Sequence, residues 1–310
     1  MLPRLLFLPL AALIVCSCSV KKLAIGTFAD ALAEGTAVYA SDDDPQLVGQ
    51  ALPFALKTLE GLLESDPRNV DLLLSTCQGF TTYSYGFAEL EAAWVEYADY
   101  DEFVFQRDRA LRLYLRARDY CLRALESVHP GLPEALTRSP GTALQDTSID
   151  DVPSLYWTAA SWGATINLGL HRPDLVVDLP SVRALVERLL VLAPDYGEGS
   201  VQEAAMLLYA LPEAMGGDYE KAVAHRDRAI ELHGGRRAST YVAFASTVSV
   251  ARQDRTQFRT MLQKALAIDT EAAPVHRLAN VLGQRRAQQL LDHIDDLFLA
   301  PLEDDSEPGA

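Results

Sequence analysis

Apolar residues recur three and four positions apart along most of this chain, the spacing that gathers them on one face of an α-helix. Residues 46–65 set the pattern, with Leu52, Ala55, Leu56, Leu59, Leu62 and Leu63 forming a stripe. Just before them, Asp42, Asp43, Asp44 and Pro45 read as a helix start: an Asp cap, Pro in the first turn, and negative charge near the positive end of the helix. These acids lack the alternating spacing of a calcium loop. The stripe stops at Asp66 and Pro67, and Asn69 is placed to cap the next helix. Further on, Gly216 and Gly217 make a turn into a four-turn helix over 218–232. Its Ala222, Ala229 and Ile230 share one face, and its small residues seven apart let a neighbouring helix come close. Residues 23–40 are weakly helical, 138–153 (rich in Pro, Gly, Ser, Thr and Asp) read as the clearest loop, and 274–298 as one last helix.

The helices end in similar closures at Pro67, Pro130, Pro194, Gly234 and Thr270, spaced 63, 64, 40 and 36 residues apart. The last two intervals are close to the roughly 34 residues of a tetratricopeptide repeat. The first two are one repeat with room for added helices. Five and eight residues before the closures stand Leu62 and Leu59, Leu125 and Leu122, Leu189 and Val186, Ala229 and Arg226, Ala265 and Leu262, of which only Arg226 is polar. The fold expected is therefore all-α: a tetratricopeptide-like solenoid of helical hairpins with inserted helices and loops, in one domain over 23–300, followed by an acidic tail over 301–310.

The N-terminus carries an address. Arg4 precedes an unbroken apolar run over residues 5–15. That is shorter than the roughly 20 residues a transmembrane helix needs and fits the hydrophobic region of an export signal. Val15, Cys16, Ser17 and Cys18 then resemble a bacterial lipobox. Cys18 is the expected acylated residue, because Ser17 before it is small, whereas Cys16 follows the bulkier Val15. Residues 1–17 are then a signal peptide and 18–22 a lipidated tether, and Ser19 favours the outer membrane. The remaining cysteines, Cys77 and Cys121, fall in helical stretches and read as buried free thiols rather than a disulfide, since spacing alone shows no proximity.

A net charge of −16, from 27 basic and 43 acidic residues, disfavours nucleic acid and anionic lipid headgroups as partners. No catalytic or cofactor signature is present: no HExxH, no GxSxG elbow, no phosphate-binding glycine loop. The six histidines are not paired as metal ligands, and neither an enzyme nor a cofactor is expected. The distinctive chemistry is aromatic, and it falls in the long intervals. Residues 80–105 are crowded with aromatics, 107–123 form a basic helix in an acidic protein, and 154–167 interleave small residues with aromatics. Tyr83, Tyr85, Trp94, Tyr114, Tyr156, Trp157 and Trp162 stand out, together with Arg107, Arg109, Arg112 and Arg116. Three readings stay open for this set: core packing, a protein-binding patch, or an apolar cavity with a few polar anchors. As a ligand site the expected residues are Tyr83, Arg109, Tyr114, Arg116, Tyr156, Trp157, Trp162 and Asn167. Arginine beside aromatics suits an apolar organic acid, whose carboxylate a guanidinium can clamp.

The ordered set of segments supports one further reading. After the lipobox come Ser19-Val20-Lys21-Lys22-Leu23-Ala24 and Asp42-Asp43-Asp44-Pro45, then Ala51-Leu52-Pro53-Phe54-Ala55-Leu56-Lys57, Phe80-Thr81-Thr82-Tyr83 and Leu113-Tyr114-Leu115-Arg116-Ala117. Tyr156-Trp157-Thr158-Ala159-Ala160-Ser161-Trp162 and the Gly-Gly-Asp helix complete it. Together these resemble the TatT family, the tetratricopeptide lipoproteins associated with TRAP (tripartite ATP-independent periplasmic) transporters. The resemblance implies an all-helical periplasmic lipoprotein that forms a homotrimer, associates with a TRAP substrate-binding protein, and has a pore or cleft for a hydrophobic ligand. Only the acylated Cys18 transfers from the family residue by residue. The alternative is a ligand-free scaffold that organises envelope proteins through its repeat surface.

Overall fold

The computed structural model describes residues 36–299. Cys18, the signal and tether segments and the acidic tail lie outside them. Every regular element among the described residues is helical. Its helices include α1 (Pro45–Leu63), α2 (Val70–Ser84), α3 (Leu90–Val95), α4 (Tyr100–Val128), α5 (Val152–Leu168), α6 (Leu179–Leu192), α7 (Tyr196–Tyr209), α8 (Tyr219–His233), α9 (Ala238–Phe244), α10 (Arg255–Leu266) and α11 (Arg277–Asp292). π-helical turns, Tyr85–Glu89 and Ala245–Ser249, prolong α2 and α9.

The caps stand where the sequence puts them. Asp44 accepts hydrogen bonds from the Gln46 and Leu47 amides at 2.9 and 3.1 Å, and Asn69 from Leu72 at 3.1 Å. Asp218, after the Gly-Gly turn, accepts from Lys221 at 3.1 Å. Gly217 is fixed by space, because a Cβ there would lie 1.6 Å from the Leu211 carbonyl oxygen. Gly199, at φ +97°, lets α7 run against α8, where a Cβ would sit 3.0 Å from Ala229. Ala222 and Ala229 are fully buried in that seam. Arg226, the polar exception among the repeat positions, lies over the Phe244 ring with its guanidinium 4.3 Å from the centroid.

Consecutive helices pack as neighbours, and a second set of contacts links α2, α5, α7, α9 and α11 in turn. The last of these returns to the beginning. α11 packs on α1 and on the short helix Thr36–Ala40, and Val48, Leu90, Leu278 and Leu282 make a buried cluster at the junction. Arg277 donates to the Ser41 carbonyl at 3.0 Å, Gln289 to the Ala93 carbonyl at 2.5 Å, and Tyr97 stacks on His293 at 3.9 Å. The described chain therefore closes on itself, with α2, α5, α7, α9 and α11 inside and α4, α6, α8 and α10 against their backs.

Three expectations change. Cys77 and Cys121 form a disulfide instead of remaining free thiols. α2 and α4 pack along much of their length and bring the two Cα atoms to 5.3 Å, within bridging range. Residues 138–153 are not an open loop. They hold the helix Pro140–Ala143 and a 3₁₀ turn, Ile149–Asp151, capped by Ser148 and Asp151, and Leu144 is buried in the core. The last helix is divided: a 3₁₀ turn at Pro274–His276 leads into α11, and Ile294–Leu297 follows separately.

Candidate functional site

The π turn after α2 carries Tyr85 and Glu89. Such turns shift the hydrogen-bond register by one residue and are frequent at functional sites. Here the Glu89 side chain meets a group from another helix. The Tyr114 hydroxyl of α4 donates to Glu89 Oε2 at 2.6 Å. Burial raises the Glu89 carboxyl above its ordinary range, against the pull of the Tyr114 hydrogen bond and of the charges of Arg286 on α11 and Arg107 on α4. Burial likewise lifts the Tyr114 phenol well above its ordinary value, helped by Glu89.

Tyr85 is the informative residue. Its side chain leaves 40% of its surface open. Yet enclosure by protein raises its phenol strongly, Glu89 and Glu203 add to this, and Arg286 opposes it. Those charges come from the π turn, α7 and α11, on different sides of the ring. Glu203 also acts on Tyr156 of α5: burial raises its phenol, with Glu203 adding and Arg237 opposing. Glu203 of α7 accepts from Ser239 and Thr240 at 3.1 and 2.7 Å and lies 3.8 Å from Arg237. Leu207, one turn on from Glu203, is 40% exposed and lies on the same helix face. The result is a cluster of phenols, carboxylates and arginines drawn from the π turn, α4, α5, α7, α9 and α11.

The structure places the sequence-selected residues unevenly. Tyr114 is buried, with its hydroxyl on Glu89, and Tyr156 is half-buried. Tyr83 is nearly buried, and its hydroxyl accepts from Arg109 Nη2 at 2.9 Å. Arg116 lies over the Phe80 ring at 4.9 Å and pairs with Glu60, where Tyr120 also donates at 2.8 Å. Trp157 is half-buried beside Tyr156, with ring centroids 5.2 Å apart. Trp162 is core, only 3% exposed, with its indole N–H donating to Asp178 at 3.2 Å. Asn167 is exposed. Tyr85 and Arg107 belong to the wider aromatic and arginine set. Glu89, Glu203, Arg237 and Arg286 carry no sequence signal, because the residues they meet are distant in the chain.

Among the described residues, no group of histidine, cysteine or carboxylate side chains could hold a metal ion, and no helix is long and apolar enough to cross a membrane. Two open hollows of about 430 and 390 Å³ lie at helix ends, around Leu192–Tyr196 and Ala267–Ala272, and share no named residue with this cluster.

The described residues form an all-helical protein whose last long helix packs back on its first, with a cluster of phenols, carboxylates and arginines among its helices. The chain belongs to the TRAP transporter T-component family, which it matches over residues 41–298. It is also 31% identical, over 314 aligned residues, to an uncharacterized protein of Treponema pallidum (strain Nichols), covering 93% of this chain and 95% of that one. Membership assigns it to the accessory components of TRAP transport systems.

Proposed function

We propose that this protein is a lipid-anchored, extracytoplasmic and non-catalytic accessory that docks a TRAP substrate-binding protein and holds or passes a hydrophobic organic acid through a chamber enclosed by α2, α5, α7, α9 and α11. Family membership over residues 41–298 carries the transport part of this reading. The enclosed cluster of Tyr85, Glu89 and Tyr114 supports the ligand part. The apolar run over residues 5–15 and the lipobox ending at Cys18 support export and acylation, with the outer membrane as destination. The Cys77–Cys121 disulfide suits an oxidising compartment. Assembly as a homotrimer follows from the family resemblance.

The test is a pulldown with the mature chain carrying Cys18→Ser, read by mass spectrometry for proteins and for co-purifying small molecules. Recovery of a TRAP substrate-binding protein is the expected result. Unrelated envelope proteins with no small molecule would favour a ligand-free scaffold. Separately, Cys18→Ala in the full chain should abolish palmitate labelling.

A further inference from the structure

The hollow of about 390 Å³ lies between the turn joining α8 to α9 and the end of α10, and Arg236, Tyr241, Lys264, Ile268, Asp269 and Ala272 stand in its lining. Its walls are fixed on both sides. Gly234 and Gly235, at φ +60° and +74°, turn the chain from α8 into α9. They bring Gly235 against Tyr241, where a Cβ would lie 3.3 Å from the hydroxyl oxygen. Opposite them, the Gln284 side-chain amide of α11 donates to the Ala265 and Leu266 carbonyls at 3.2 Å each and to the Ile268 carbonyl at 2.7 Å. The chain that leaves α10 is thereby held in place.

The hollow contains opposite charges that do not meet. Lys264 is exposed and joins no hydrogen bond or ion pair among the described residues. The Asp269 carboxylate accepts from the Glu271 backbone amide at 2.9 Å, and it joins no ion pair among those residues either. Arg236 is engaged elsewhere, donating through Nε to the His233 carbonyl at 3.0 Å and lying 3.6 Å from Glu198. Tyr241 is only 6% exposed, and its hydroxyl, at the wall of the hollow, has no hydrogen-bond partner among the described residues. A phenol in that position can donate one hydrogen bond, and an ammonium group three. Ile268 and Ala272 add apolar surface beside these groups. A lone anion entering here meets the Asp269 carboxylate, and a lone amine meets the Lys264 ammonium. A zwitterion complements both.

We infer that this hollow is a binding site for an apolar α-amino acid. Its carboxylate is held by the Lys264 ammonium and the Tyr241 hydroxyl, its ammonium by the Asp269 carboxylate, and its side chain by Ile268 and Ala272. The site shares no residue with the Tyr85–Glu89 cluster and does not depend on the chamber's role.

The test is isothermal titration of the mature chain carrying Cys18→Ser with three probes: L-leucine, 4-methylpentanoate, which lacks the ammonium, and 3-methylbutylamine, which lacks the carboxylate. Leucine should bind about tenfold or more tighter than either analogue, because each analogue leaves one charged group of the site without its charge-assisted partner. Lys264→Gln should weaken leucine about tenfold without weakening the amine. Asp269→Asn keeps a side-chain acceptor for the Glu271 amide, and it should weaken leucine about tenfold without weakening the acid. Both side chains are exposed, so neither change disturbs the core. No binding of leucine, equal affinity for leucine and either analogue, or leucine affinity untouched in both variants overturns the assignment.

Discussion

Glu89 must either ionise in a poorly hydrated space or keep its proton. Burial favours the neutral form. The folded chain therefore holds this proton more tightly than the unfolded chain does. The resulting stabilisation is fully present below the ordinary glutamate value of 4.5 and is lost as pH rises through the higher folded value. Glu89→Gln keeps a neutral side chain at every pH. Its melting temperature should match the parent near pH 5 and exceed it at pH 8, in a thermal melt followed across pH. A difference that does not change with pH would refute the assignment. Glu60 behaves in the opposite sense. Burial pushes its carboxyl up, but hydrogen bonds from Lys57 and Tyr120 and the charge of Arg116 outweigh it and hold the group low. Its contribution is present above the ordinary value and fades as pH falls. At this scale the sequence was only partly legible. Tyr114, Arg116 and Trp162 stand in aromatic-rich stretches, but local composition does not tell that Tyr114 is buried on Glu89, that Arg116 pairs with Glu60 or that Trp162 packs in the core.

Among the elements, α1 and α8 were readable because caps and stripes are local: Asp44, Asn69 and Asp218 lie within a few residues of the amides they bond. The π turn was not readable. A shift of one residue in hydrogen-bond register depends on what packs against the helix, and here Gly86 lies against Leu282. The Cys77–Cys121 bond escaped for a related reason, since a separation of 44 residues says nothing about which helix faces meet. Cys77→Ser with Cys121→Ser should cost about 3–4 kcal/mol by the loop-entropy relation. Denaturant unfolding with and without a reducing agent measures this, and an unchanged midpoint would mean the bridge adds nothing to stability.

For the whole molecule, the decisive contact joins the two ends of the described chain. Arg277 and Ser41 are 236 residues apart, and neither repeat spacing nor composition can report such a pairing. The repeat arithmetic leads to an open stack of hairpins, whereas the buried cluster of Val48, Leu90, Leu278 and Leu282 draws α11 back onto α1. Leu282→Ala should cost about 2–4 kcal/mol. Its amide exchange should rise in α1, α3 and α11 while α6 and α8 stay protected. Uniform loss of protection would mean that the junction is not a separable closure.

The central claim is that the ring encloses Tyr85 while leaving it reachable. In the mature chain carrying Cys18→Ser, Tyr85→Cys supplies a free thiol inside the ring, and Phe54→Cys supplies one at a position 80% exposed on α1. Both should react with a small methanethiosulfonate. Only the Phe54→Cys chain should react with a maleimide carrying a large polyethylene glycol. Equal reaction of both positions with the large reagent would place Tyr85 on the outer surface and contradict the chamber.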